Sequence, residues 1–448
     1  IHTKNNNSTL IMKTKLILIL LIISSLQISA QENFKKCLTT PLVEQELLSN
    51  PDYIEGRAKS MAENNAWLAG NHTEKSTINI PVVIHIVHRT QDNIGSNTNI
   101  SNLQIEDALR ILNEDYSKTN PEFPNPPRNT FLNYAGNPDL KFCFATTDPD
   151  GNSTNGITRT STTKSSFDAD TESNDMKKNS TLGQDGWDPS KYLNIWVCNL
   201  SNSGGGGMTL GYAYLPGLPS WNAWKDGLVV DFQYFGTLGG ASSSSDGRTP
   251  THEIGHYLGL NHTFAEASWN GQGPCDDPQG GLQCCDNDDG NVNDTPPTDG
   301  IYWGSVTSNT NNNTCNDLNY GFSNDMDDMD ENYMSYASTT WMFSVDQINV
   351  MNATLNGYRS SLKNSTVSMN CNGSIGVGIN NYQLENLNIY PNPTLGLVNI
   401  KSKEKINTIS ISNILEKQVF FTENFSANTI DLSSLDNGIY FISISTDK

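Results

Sequence analysis

Three of the seven histidines in this 448-residue chain fall within one run of eleven residues, His252-Glu253-Ile254-Gly255-His256-Tyr257-Leu258-Gly259-Leu260-Asn261-His262. Residues four apart share one face of a helix, so His252 and His256 can bind one metal ion together. Glu253, beside them, can reach a water at that ion. Gly259 lacks a Cβ and can take a left-handed conformation, which ends the helix sharply and lets His262 approach as a third ligand. Three neutral imidazoles with a fourth position open form a catalytic zinc set rather than a structural one. Zinc lowers the pKa of a bound water to about 7. Glu253 would take the proton of that water and pass it to a leaving amine. The plain alternative is a surface helix with chance histidines. A bare HExxH fits that alternative, whereas the extension through Gly259 and His262 is far more specific.

The elements that must carry this run can be read around it. Residues 246–260 read as a helix entered from a Ser/Gly loop. Upstream, residues 78–88 (INIPVVIHIVH) alternate and are rich in β-branched side chains, which predicts a strand. Residues 140–146 and 192–200 read as further strands, and 209–217 (TLGYAYLPG) as a short strand with a turn. Ser101 caps a predicted helix over 101–116. Residues 265–331 are irregular and acidic, and 347–362 read as one more helix. Residues 363–383 form a Ser/Asn/Gly linker. From Leu384 to the end, short alternating segments predict a small all-β sandwich.

Composition bounds the class of function. The formal net charge is -21, which argues against a nucleic-acid partner. Met12 to Lys15 opens a basic stretch, and an apolar run follows to Ala30. This is the pattern of a secretory signal, with Met12 as the expected start. The run is too short for a membrane span, and no later one exists, so the mature chain is expected to have no transmembrane segment. Residues 31–77 read as a pro-segment. The eight cysteines of an exported chain are expected to form disulfides, with the four between 275 and 315 stapling the acidic loop. Their pairing is left open.

The run HEIGHYLGLNH resembles the metzincins. With Thr263-Phe264, Asp294-Thr295-Pro296 and Glu331-Asn332-Tyr333-Met334-Ser335-Tyr336, it is similar to the pappalysin family. Residues 78–362 carry that resemblance. It implies an α+β catalytic domain with a mixed sheet, an active-site helix and an irregular lower subdomain, followed by the small C-terminal all-β sandwich. It implies a secreted zinc endopeptidase acting on protein or peptide substrates. Met334 would lie in the tight turn beneath the zinc, and Tyr336 would stabilise the oxyanion. Gly211-Tyr212-Ala213 would be the rim strand that pairs with substrate backbone. Relatives with an acid soon after that Met favour a basic residue after the cut bond. Residues 337–342 (ASTTWM) carry no acid, so that preference does not carry over.

Three features keep two readings each. Asp286 and Asp294 stand in a loop crowded with aspartates, which suits either calcium or plain solvation; relatives bind calcium near there. Cys37, in Lys35-Lys36-Cys37-Leu38-Thr39, resembles the family's basic-Cys-Gly-Thr stretch with Leu38 in place of Gly. Its thiolate would occupy the open zinc position and hold the enzyme latent, or else it forms a disulfide. Residues 384–448 resemble a type IX secretion sorting domain, through Asn388-Ile389-Tyr390-Pro391-Asn392-Pro393-Thr394 and a final LSSLDNGIYFISI. The implied partner is the type IX machinery, and the implied location is outside the cell or on a bacterial surface. An ordinary accessory sandwich that binds carbohydrate or protein is the other reading. For the whole chain, the competing functions are a catalytically silent protease-like adhesin and another zinc hydrolase such as an amidase.

Overall fold

The computed structural model describes residues 36–264, 285, 292–375 and 388–446, apart from 71, 73–75, 204–207, 395, 403–404, 414–417, 424 and 426. The expected signal segment lies outside the described residues. The chain divides into two compact units, Ile1–Gly376 and Val377–Lys448.

The first unit opens with two helices, α1 (Thr39–Ser49) and α2 (Pro51–Leu68). β1 (Ile78–Arg89) follows, and its residues from Ile80 to Val87 are buried without alternation, as in a strand covered on both faces. Then come α3 (Asn102–Tyr116), β2 (Leu140–Ala145), β3 (Ile157–Thr162), β4 (Phe167–Asp168), β5 (Leu193–Cys198), β6 (Leu200–Ser201), β7 (Gly211–Ala213) and β8 (Leu228–Asp231). After the active-site helix α4 (Thr249–Tyr257) lie α5 (Val345–Asn356), α6 (Ser360–Lys363) and β9 (Met369–Asn370). The sheet order is β7-β8-β5-β1-β2-β9, with β3 beside the second half of β1. β2, β3 and β5 run parallel to β1, while β7 and β9 run antiparallel to their neighbours. The sheet is therefore mixed, and β7 forms one edge.

One face of the sheet packs on α3, α4 and α5. Ile80, Val82, Ile84 and Ile86 meet Leu109, Ile254, Met334 and Met351 there. The other face carries Trp196, Tyr212 and Tyr214, and its core includes Leu38, Leu42, Val43 and Tyr53 from the N-terminal segment. The expected pro-segment thus shares a core with the body.

Buried polar groups are paired across this frame. His85 on β1 is fully buried. Its Nε2–H donates to Asn194 Oδ1 at 2.9 Å, and its Nδ1 accepts from Thr158 Oγ1 at 2.8 Å. The Asn194 amide donates to Trp187 O, which fixes its orientation and hence the imidazole tautomer. Burial pushes His85 down to about 4, against the pull of the Asn194 bond. A base whose folded pKa lies below its unfolded value of 6.5 stabilises the fold above pH 6.5. That contribution is lost as the pH falls from 6.5 towards 4, and is worth about 3 kcal/mol. Urea unfolding of the metal-free protein should therefore weaken between pH 6.5 and 4, and should weaken less in His85→Gln. An equal loss in both would show that His85 is not the group responsible.

Two expectations shift. The predicted helix over 347–362 is two helices, broken at Gly357, whose φ and ψ are -103° and -109°. A Cβ there would stand 3.2 Å from Glu63 Oε2, so α2 presses on the break. The predicted linker over 363–383 begins later. β9 pairs with β2, and Cys371 is joined to Cys143 by a disulfide, so this stretch is fastened to the body.

The second unit holds two three-stranded antiparallel sheets. One is β10 (Asn388–Tyr390), β11 (Leu397–Lys401) and β14 (Thr429–Asp431). The other is β13 (Gln418–Glu423), β12 (Ile406–Asn413) and β15 (Tyr440–Thr446). Val398, Ile400, Ile406, Ile409, Ile411 and Ile430 form its core. This agrees with the expected all-β module.

Candidate active site

α4 starts at Thr249-Pro250, where proline suits the first turn. It carries His252, Glu253 and His256 on one buried face. Gly259 then turns the chain with φ +99°, and Leu260 N–H donates to Gly255 O at 3.0 Å. The turn returns His262 to the same point.

The three Nε2 atoms lie 3.1–3.2 Å apart. Carbonyl oxygens receive two of the Nδ1 atoms. His252 Nδ1 donates to Tyr333 O and His256 Nδ1 to Leu260 O, each at 2.7 Å. A carbonyl can only accept, so in neutral His252 and His256 the proton sits on Nδ1 and the Nε2 lone pair faces the centre. Converging lone pairs at this spacing repel unless a cation sits between them. Two nitrogens bound about 2.0–2.1 Å from a tetrahedral zinc lie roughly 3.3 Å apart, close to the observed spacing. The donor set therefore fits zinc.

Glu253 is buried beside the triad. Its Oε2 accepts from Cys37 Sγ and from Thr39 Oγ1, each at 3.4 Å. Its Oε1 has no hydrogen-bond partner among the described residues. Burial pushes Glu253 up to about 8, while the bonds from Cys37 and Thr39 and the Lys36 charge pull it down. A carboxyl held this way is poised to exchange a proton near neutral pH.

Five residues of the 331–336 run have positions that explain them. Glu331 pairs with buried Arg128. Asn332 exchanges amide hydrogen bonds with Gln347 and accepts from Met334 N at 2.9 Å, which shapes the turn. Tyr333 supplies the carbonyl that orients His252, and its hydroxyl donates to Asp115 at 2.7 Å. Met334 is fully buried beneath α4. A Cβ on Gly255 would stand 2.3 Å from Met334 Sδ, so the glycine lets the turn close against the helix. The Tyr336 ring packs 5.7 Å from His252 and 5.0 Å from His262, centroid to centroid.

β7 lies over α4 so closely that a Cβ on Gly211 would stand 3.0 Å from Glu253 Cγ. Its outer edge is filled by the N-terminal segment. Leu38 N–H donates to Gly211 O at 3.1 Å, and Leu210 N–H donates to Lys36 O at 3.0 Å. Thr39 Oγ1 bonds both the carbonyl and the N–H of Ala213 at 3.0 Å. Gly211, Tyr212 and Ala213 thus form an edge strand that is bonded to residues 36–39. Leu38 has φ -105°, so this position does not require glycine, and its side chain packs beside Tyr212 and Leu215.

Cys37 makes no disulfide. Its Sγ and one nitrogen of each histidine lie within 4.8 Å of one another, all buried. Lys36 enters a small cavity with Asp246, Arg248 and Thr249. Burial pushes its ammonium down, and Asp246 is the strongest of the charges that hold it up. The sequence reading named Lys36 and Thr39 only as neighbours of Cys37 and missed Asp246. It also missed Asp115, which binds Thr251, Tyr333 and Arg248 and so joins α3, α4 and the methionine turn. A local pattern could not announce a residue 136 positions from Thr251.

The acidic loop is partly in view. Asp286 lies outside the described residues. Asp294 Oδ2 accepts from Asp346 N at 2.9 Å in the first turn of α5, and its Oδ1 is buried with no partner among the described residues. Cys285 and Cys315 form a disulfide, while Cys275 and Cys284 lie outside the described residues. No helix among the described residues is long and apolar enough to cross a membrane.

Comparison with known proteins places this geometry. Residues 176–356 match the family described as Pregnancy-associated plasma protein-A, and residues 388–448 match the secretion system C-terminal sorting domain. A promirolysin mutant from Tannerella forsythia is similar at 30% identity with a TM-score of 0.59, over 73% of this chain and 97% of that one. Mature mirolysin from the same organism, in complex with a cleaved peptide, is similar at 33% identity with a TM-score of 0.54, over 65% and 97%. An extracellular metalloprotease of Verticillium alfalfae is 28% identical over 218 residues, 47% of this chain and 61% of that protein. The chain therefore spans about three fifths of the length of that curated relative.

Proposed function

The chain belongs to the pappalysin family of metallopeptidases, that of pregnancy-associated plasma protein-A, and from that premise we propose that it is a secreted zinc endopeptidase held latent by its own N-terminal segment. The observation that carries the proposal is the convergence of three Nε2 atoms beside buried Glu253, under an edge strand whose backbone already bonds residues 36–39. An adhesin with a silent protease shell has no need of this arrangement, and every part of it is present.

A zinc ion bound there supplies a Lewis acid, which polarises a carbonyl and makes water a nucleophile near neutral pH. His252, His256 and His262 would hold it through Nε2, with Tyr333 O and Leu260 O fixing two of the rings. The edge of β7 would bind the substrate backbone as it now binds residues 36–39, and this positions the peptide bond over Glu253. Glu253 would take a proton from the attacking water and deliver it to the leaving nitrogen. Tyr336 would donate its phenolic hydrogen to the carbonyl oxygen as negative charge develops. Met334 fills the space beneath the triad and keeps α4 in place.

In the uncut chain Cys37 Sγ would take the remaining position at the ion. The larger share of this chain matched by promirolysin than by mature mirolysin supports a pro-segment over residues 31–77. We include calcium near Asp294 in the proposal, on the strength of a buried oxygen that has no partner among the described residues. The C-terminal unit would direct the protein to the type IX machinery and so to the cell surface or beyond.

The test is metal-dependent proteolysis by the full chain. After a trace of trypsin, the zinc-loaded protein should cleave denatured casein, and a chelator should lower the rate more than roughly hundredfold. Zinc at one ion per chain should restore it. Cleavage that survives complete zinc removal would rule the mechanism out.

A further inference from the structure

Of the described residues of the N-terminal segment, Lys36 to Thr39 lie along the edge of β7 at the catalytic cleft. Most of the N-terminal segment lies elsewhere, on a shelf made of residues 215–218, Trp221, Lys225 and the C-terminal half of α5. At its centre two glycines meet. A Cβ on Gly56 would stand 2.0 Å from Gly217 O, and one on Gly217 would stand 2.6 Å from Arg57 N. Gly217 also has φ +133°, which excludes other residues. Glycine inside a helix weakens it; here it lets the α2 backbone rest on the shelf backbone.

Directional bonds surround this contact. Arg57 Nη1 donates to Pro216 O at 2.9 Å, and Tyr53 OH donates to Leu215 O at 3.2 Å. Asn64 Nδ2 donates to Thr354 Oγ1 at 3.1 Å, and Trp221 Nε1 donates to Asp52 Oδ2 at 3.0 Å. Lys225 pairs with Glu46. Leu42, Val43 and Tyr53 are buried with Leu215 and Leu218. None of these bonds involves the histidines or Glu253.

We propose that this shelf is a docking site for the excised N-terminal segment, so that cutting the connection between α2 and β1 leaves a bound two-chain complex rather than a free enzyme. The proposal rests on reading residues 31–77 as the pro-segment. Full activation then requires destruction of α2 as well as the first cut. Trypsin can achieve both, because Lys59 is exposed and Arg57 half-exposed on α2.

The experiment uses the full zinc-loaded chain with a site for a specific endoprotease placed within residues 71–75. After that single cut, the segment should co-elute with the body in size exclusion at roughly 1 µM. Peptide hydrolysis should stay at least tenfold below that of the trypsin-treated protein. Gly56→Val should release the segment after the cut and raise hydrolysis at least tenfold. Should that variant fold poorly, Arg57→Ala with Tyr53→Phe serves the same purpose. Cys37→Ala should still co-elute, since the shelf is intact. Separation of the wild-type segment after the cut would overturn the proposal, as would release by Cys37→Ala alone. Co-elution is read without any activity. If the trypsin-treated protein cleaves nothing while the segment stays bound, the enzymatic reading falls and the docking site stands.

Discussion

Glu253→Ala in the trypsin-treated protein should lower casein hydrolysis by roughly 10²–10⁴-fold, the range for loss of a general base, while zinc stays at one ion per chain. The two halves of this expectation come from different atoms. Metal retention depends on Nε2 lone pairs, two of which are aimed by bonds to Tyr333 O and Leu260 O. Neither bond involves Glu253. Proton transfer depends on the carboxyl, which lies buried beside the triad and keeps one oxygen without a partner among the described residues. Zinc analysis of the purified variant beside its rate separates the two. Full zinc with full activity would assign the base elsewhere. Lost zinc would make Glu253 a structural support of the triad.

Cys37→Ala should raise hydrolysis of a small peptide by the uncut chain at least tenfold. Within the N-terminal segment, Cys37 Sγ is the atom that joins the three histidines in one cluster. Losing a bond to a charged centre is worth roughly 1.5–3 kcal/mol, or about ten- to hundredfold in how often residues 36–39 leave the cleft. The Leu38–Gly211 and Thr39–Ala213 bonds remain, so the segment still closes again. Initial rates before any self-cleavage provide the measurement. No change would mean that the β7 edge pairing, rather than the thiol, keeps the cleft closed.

The metal site was legible because its parts are close in sequence. Two histidines one helical turn apart, a glycine able to reverse the chain and a third histidine can meet in few ways. The 331–336 run needed a resemblance, since nothing in its local pattern says that Tyr333 O lies under His252. Strand positions were readable where both faces are covered, as in β1. What could not be read was long-range. Asp115 reaches α4 and the methionine turn through tertiary folding alone. The break at Gly357 lies against Glu63, on a helix 294 positions earlier. Residues 369–371 look like linker because their β-pairing and disulfide depend on β2, more than two hundred residues upstream.

That disulfide has a consequence for biosynthesis. Cys143 and Cys371 are 228 positions apart, and the three histidines and Glu253 lie between them. Synthesis runs from the N-terminus, so Cys143 must wait as a thiol until the rest of the catalytic unit has emerged. A chain interrupted anywhere in between keeps that thiol exposed to exchange with any oxidoreductase it meets. Closing so large a loop removes about 5 kcal/mol of freedom from the unfolded ensemble. Covalent closure therefore stabilises only chains that have reached Cys371.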